Sequence, residues 1–258
     1  MPALTIQNGN SEKISSVKEW FEYAPPKDKE RHWKDDRSAK ELAKAWFRTG
    51  EARVPEELQA LFKSHPLTKD LVIEAAIPEK QIKLDNFRGE PRNSDLILVG
   101  NAGDRKVVVG IEAKADESLG PIVHQYLEEK KGTKSKVPDR IELLLQSIFG
   151  KAVDSDLGRL RYQLVHGLAG TLIEAKERQA SLALFVIHEF QSARTREENI
   201  QRNIIDLERF VHSFDGFEKT VISPGILFGP IRVPGNEFVP AHIPFLIGKV
   251  TTDLTGKP

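Results

Sequence analysis

At 258 residues and 39% hydrophobic content, the chain is long enough to bury one sizeable core without covalent staples. Its 38 basic and 38 acidic side chains cancel, which argues against a protein that coats nucleic acid by bulk charge but leaves room for a local basic surface. With no cysteine, disulfides, thiolate metal sites and cysteine nucleophiles are excluded, and a reducing compartment fits.

Met1 to Ser16 lacks the basic start and continuous apolar stretch of a signal peptide. No apolar run approaches the roughly 20 residues that cross a bilayer. The expectation is a cytoplasmic protein with no membrane partner. Ser11 to His65 reads as helical and highly charged, so residues 1–54 form a helical N-terminal extension. Ser38 is placed to cap a helix through Leu42, Ala45, Trp46 and Phe47 that stops near Gly50. Pro55 suits the first position of a shorter helix with Leu58, Leu61 and Phe62 on one face. This helix opens a core predicted over 55–190.

Leu71 to Ile77 is an apolar run interrupted by Glu74. Ser94–Val99 and Lys106–Lys114 favour strands, and Gly100 to Asp104 between them is turn chemistry, so the pair reads as a hairpin. A lysine-rich loop over Glu128–Pro138 follows, then a helix near Ile141–Phe149. Leu160, Leu164, Leu168 and Leu172 mark an amphipathic helix from Arg159 to Arg178. Ser181–His188 is a buried strand, and Glu197 to Phe214 a further helix. Residues 191–258 end in a tail rich in Pro and Gly, with strands expected around Thr220–Val233 and Glu237–Val250. The order defines an α/β fold: a mixed central sheet flanked by helices, with a helical preface and a β-rich tail.

Glu112 and Lys114 are two apart on a strand and share a face, while Val107, Val109, Ile111 and Ala113 share the other. Hairpin pairing brings Asp95 beside Glu112. Two carboxylates and an ammonium so placed suit phosphodiester hydrolysis, because magnesium takes oxygen ligands and keeps several waters. The carbonyl of Ala113 is a further oxygen within reach.

At Asp95 and Glu112-Ala113-Lys114 the sequence resembles the PD-(D/E)XK nuclease superfamily, whose hallmark is an aspartate on one core strand and Glu/Asp-x-Lys on the next. The order helix, three strands, helix, strand over Pro55 to His188 is similar as well. It resembles in particular a bacterial branch, without assigned activity, that shares Glu-x-Lys-x-Asp-Glu and Arg-Tyr-Gln-Leu. The resemblance implies a restriction-endonuclease-like sheet and a Mg2+- or Mn2+-dependent nuclease, with DNA ahead of RNA as substrate. It makes Asp95, Glu112 and the Ala113 carbonyl metal ligands, and Lys114 the group that assists the attacking water. Gln163, in Arg161-Tyr162-Gln163-Leu164, matches the glutamine that the following helix returns to the site. Glu74, with Glu57 second, matches an auxiliary acidic residue. A homodimer and an activating protein partner are compatible with it.

Ser94 stands where many members have proline, and the segment from Lys114 to Gln163 is long. Other readings stay open: a non-hydrolytic nucleic-acid-binding or regulatory module on the same fold, or an enzyme acting on a small phosphate or sugar. Asp116 and Glu117 read as a cap or surface, and His166 as a hydrogen-bonded structural histidine. Trp20, Trp33 and Trp46 read as packing residues, with stacking on a nucleotide as the functional alternative. His188, His212 and His242 show no ligand spacing.

Overall fold

The computed structural model describes residues 4–26 and 29–256. Among the described residues seven strands form one mixed sheet, in the order β1 (Thr5–Ile6), β2 (Leu71–Ile82), β3 (Arg92–Ala102), β4 (Arg105–Lys114), β5 (Leu182–Gln191), β7 (Phe245–Asp253) and β6 (Leu227–Ile231). A short edge strand, β1 (Thr5–Ile6), precedes the helices α1 (Val17–Tyr23), α2 (Ser38–Trp46) and α3 (Glu56–Lys63). An antiparallel meander then runs through β2 (Leu71–Ile82), β3 (Arg92–Ala102) and β4 (Arg105–Lys114). Helices α4 (Val123–Lys130), α5 (Val137–Phe149) and α6 (Tyr162–Glu177) carry the chain back to β5 (Leu182–Gln191), parallel to β4. After α7 (Glu197–His212), the tail adds β6 (Leu227–Ile231) and β7 (Phe245–Asp253), the latter parallel to β5.

Strand alternation divides the core into two layers. Val107, Val109, Ile111 and Ala113 of β4 pack with Leu42, Trp46, Leu58 and Leu61 of the N-terminal helices. Val108 of the same strand faces Leu164, Leu168 and Leu172 of α6. Val107, Val108, Val109 and Ile111 are all 0% exposed. Burying each side chain contributes about 1.5–3 kcal/mol, which makes β4 a rigid base for the charged residues at its end. Gly110 lets α6 settle against the strand, because a Cβ there would meet Thr171 Oγ1 at 2.0 Å.

The hairpin forms as its sequence requires, with Ala102 opposite Arg105 and Gly103 in the left-handed region (φ 62). Elsewhere tertiary pairing adjusts the expectations. The N-terminal extension is not purely helical, because Thr5 and Ile6 pair with Ala75 and Ala76 at the sheet edge. Arg37, not Ser38, is the N-cap of α2; the Ser38 hydroxyl instead donates to Glu117 at 3.3 Å. The lysine loop narrows to residues 131–136, because α4 runs to Lys130 and α5 begins at Val137. In the tail, Pro224, Pro230, Pro234, Pro240 and Pro244 lack the N–H a ladder needs. The two tail strands are accordingly shorter and later than the composition suggested. Among the described residues no helix is long and apolar enough to cross a membrane.

Candidate active site

The β3–β4 ladder closes with Leu96 opposite Ile111, so Asp95 and Glu112 follow side by side on the face toward α6. There a side chain replaces the next backbone bond: Asp95 Oδ2 accepts the Ala113 N–H at 2.7 Å. The N–H and C=O of one strand residue leave by the same edge, so the Ala113 carbonyl is directed toward Asp95 as well. Asp95 is half-buried, with its free side on a cleft.

Glu112 is buried at 1% exposure and held on both oxygens. Oε2 accepts from the Arg92 guanidinium at 2.7 Å. Oε1 accepts from Lys114 Nζ at 3.1 Å and from the Gln163 amide, which α6 presents from its first turn. Burial pushes the Glu112 carboxyl up, but Lys114 and Arg92 outweigh it and hold it at about 2. Burial also pulls on Lys114, and there Glu112 and Asp95 win, so its ammonium is held charged. Asp95 is different. Burial first, and then the charge on Glu112, push it up to about 7.

The structure brings Asp95, Glu112, Ala113, Lys114 and Gln163 together, but Glu74 lies apart from them. It sits at a β2 irregularity between Ile73, opposite Gly100, and Ala75, opposite Val99. At about 3.4 Å per residue this is roughly 15 Å along the sheet from Asp95. Its carboxylate accepts from Asn101 Nδ2 at 2.9 Å. Glu57 belongs to the other sheet face, where it accepts from Arg48 at 3.0 Å and from the Thr252 hydroxyl.

The acidic residue of β2 that does reach the site is Glu79, which falls between the pairs Pro78–Leu96 and Lys80–Ser94 and thus opposite Asp95. Burial and then Asp95 push its carboxyl up to about 8. Both carboxyls are thus held toward their protonated forms. Glu79 also has left-handed backbone (φ 48), a costly conformation for a residue with a Cβ. Strand pairing would have pointed to it, but only once the β2–β3 register was known.

Arg92 is the second residue that sequence reasoning missed. Its side chain is 5% exposed and bridges Glu112 to His166, whose Nδ1 lies 2.7 Å from the guanidinium. Burial and then the Arg92 charge push the imidazole far down, so neutral Nδ1 is the acceptor. Gly170 of α6 gives Arg92 room, since a Cβ there would sit 3.2 Å from Arg92 Cδ, whereas a Cβ at Gly167 would meet the Phe185 ring at 2.6 Å. The Arg92 Nε remains without a partner in this buried position.

The two acidic residues after Lys114 have separate duties. Asp116 caps α7 from outside, accepting from Arg196 N at 3.0 Å and Asn199 Nδ2 at 2.7 Å. Glu117 turns back to accept from Ala115 N at 2.6 Å and lines the cleft.

The cleft encloses about 1170 Å³, with Glu79, Asp95, Lys114 and Gln163 among its lining residues. Among the described residues no group of three or more His, Asp or Glu side chains forms a ready cation cage. Magnesium needs only one or two carboxylates beside waters, so Asp95, Glu112 and the Ala113 carbonyl supply a fitting set of hard oxygens. Against this, both Glu112 oxygens already accept hydrogen bonds.

A pH dependence follows from the raised carboxyls. The native state keeps protons on Asp95 and Glu79 that the unfolded chain loses near pH 4. Their stabilisation is complete below that pH and is lost as pH rises through about 7 and 8. Thermal melts in EDTA should therefore fall by several degrees between pH 5 and pH 8.5. Asp95→Asn should flatten the slope, as should a saturating divalent cation. An unchanged slope in Asp95→Asn would refute the assignment.

An α/β protein with a buried carboxylate–lysine cluster at the floor of a polar cleft is the class that fold and site define. The family model described as Domain of unknown function (DUF6946) matches residues 13–254, and the chain belongs to that family. No curated protein and no solved structure matches it.

Proposed function

We propose that the chain is a divalent-metal-dependent nuclease with a restriction-endonuclease-like core, hydrolysing phosphodiester bonds and DNA ahead of RNA. The observation that carries this reading is the junction of β3 and β4. Asp95, Glu112 and Lys114 meet there on one face, with Asp95 tied to the Ala113 N–H and Gln163 reaching in from α6. With α4 and α5 as an insertion after β4, the chain runs α3–β2–β3–β4–α6–β5, the element order that the resemblance implies.

Asp95, Glu112 and the Ala113 carbonyl would hold the ion, which when bound acidifies a water and neutralises charge on the phosphate. Lys114 is held as an ammonium, so it acts as a donor to the phosphoryl oxygens and not as a base. Glu79 faces Asp95 and lines the cleft, so its ionised form is placed to take the proton from the attacking water. The auxiliary role that the resemblance gave to Glu74 thus passes to Glu79. The water oxygen bonds to phosphorus, the bond to the leaving oxygen breaks, and solvent protonates that oxygen.

The test is a cleavage assay with purified protein on plasmid, linear duplex, single-stranded DNA and RNA, in magnesium, manganese or EDTA. Metal-dependent cutting that Asp95→Asn abolishes supports the nuclease. Absence of cutting on every substrate, with a folded protein that binds no cation, would remove it. One observation favours a second reading, a non-hydrolytic nucleic-acid-binding or regulatory module: Arg92, Lys114 and Gln163 already satisfy both oxygens of Glu112. Calorimetric titration with manganese separates the two, since the module has no need of the ion.

A further inference from the structure

The cleft above the carboxylates draws aromatic and basic side chains from both layers of the fold. Trp33, in the segment before α2, packs against the core on the N-terminal side of the sheet. Its ring is partly exposed and is backed by Phe21 at 5.1 Å between centroids. Tyr126 of α4 packs against the opposite core, lies 5.5 Å from Tyr162 and has the Lys130 ammonium 5.1 Å from its ring centroid, a cation that a stacked base would displace toward its own phosphate. Both Trp33 and Tyr126 line the cleft whose floor holds Asp95 and Lys114. Lys34 and Arg37, both exposed, stand with Trp33.

Beyond Glu90 and Arg140, which line both spaces, a second hollow of about 750 Å³ continues the cleft. Arg88, Lys134 and Lys136 line it, so the lysine loop singled out in the sequence borders the same path. Basic side chains thus border both spaces and outnumber the acidic Glu79, Glu90, Asp95 and Glu117 of the same lining. Such a border suits a polyanion. The aromatic rings specify which polyanion. In a duplex the base faces are hidden in the stack, whereas unpaired bases can lie against exposed rings.

We infer that this path takes a single-stranded polynucleotide, with bases stacked on Trp33 and Tyr126 and phosphates along Lys34, Arg37, Arg88 and Lys134. The inference rests on the nuclease reading for the role of the floor, and its binding test is independent of cleavage.

The experiment uses the full chain in EDTA and fluorescence anisotropy with a labelled 15-nucleotide DNA strand or its duplex. The strand should bind at least tenfold tighter than the duplex. Trp33→Ala and Tyr126→Ala should each weaken the strand about tenfold, in line with loss of one stacked base, and change duplex binding less than twofold. Trp33→Phe should retain most of the affinity. Should Trp33→Ala fail to fold, the exposed double variant Lys34→Glu/Arg37→Glu should weaken the strand in low salt.

Equal affinity for strand and duplex overturns the inference, as does strand binding untouched in both folded aromatic variants. If strands are cut but the aromatic variants bind and cut like the unaltered protein, the stacking path fails and the nuclease stands. If strands bind with the Trp33 and Tyr126 dependence but no metal supports cutting, the path stands and the nuclease fails.

Discussion

Lys114→Met should lower the rate of metal-dependent cleavage by roughly a hundred- to a thousand-fold, the scale of losing one charged donor to a transition state. Methionine fills much of the same volume, and Arg92 and Gln163 still satisfy Glu112, so the fold should survive. Loss of one buried hydrogen bond to a charge predicts about 1–3 kcal/mol of lost stability. The ammonium is held charged by Glu112 and Asp95, so on the proposed nuclease reading the unaltered protein should show no rate loss at alkaline pH from deprotonation of Lys114. Single-turnover rates with saturating substrate would isolate the chemical step. A folded Lys114→Met protein that cuts within tenfold of the unaltered rate would remove Lys114 from the chemistry.

The second large effect is on stability and lies at Arg92 and Glu112. Their pair has exposures of 5% and 1% at 2.7 Å. Arg92→Met leaves Glu112 with Lys114 and Gln163 and should cost about 1–3 kcal/mol, whereas Glu112→Gln strands both Arg92 and Lys114 away from water and should cost about 3–5 kcal/mol. For a chain of this length that is a fall in Tm of roughly 10 °C. The double variant removes the Arg92–Glu112 pair as a whole, although Lys114 still loses its carboxylate, and should cost less than the sum, with a coupling of about 1–3 kcal/mol. Urea unfolding of the four proteins measures this directly. Additive costs would mean that Arg92 acts by packing against Gly170 and not by charge. Arg92 also competes for the Glu112 oxygen that a cation would use. Manganese affinity should therefore rise in Arg92→Met and vanish in Glu112→Gln.

The gathering of Asp95, Glu112, Lys114 and Gln163 was legible in the sequence because its signals are local. Glu112 and Lys114 share a face by strand periodicity, and Val107, Val109 and Ile111 bury the other face for the same reason. The turn chemistry before Arg105 makes a hairpin, and a hairpin places Asp95 next to Glu112. The apolar spacing of α6 fixes which face it buries, and so gives Gln163 an approach to the sheet. The family to which the chain belongs adds no activity to this reading.

What the chain by itself determined, then, was the alternation of its strands, the hairpin and the periodic helices, since each depends on neighbours a few residues apart. Only the tertiary structure decided which carboxylate of β2 joins the site. Glu74 and Glu79 lie on the same strand, and the choice rests on a register set by pairing with β3. It alone placed Arg92, which packs against Gly170 on a helix more than seventy residues away. It also gave the N-terminal extension a strand, because an edge two residues long has too little pattern to read. Register and long-range packing are properties of the whole sheet, and no local window of sequence contains them.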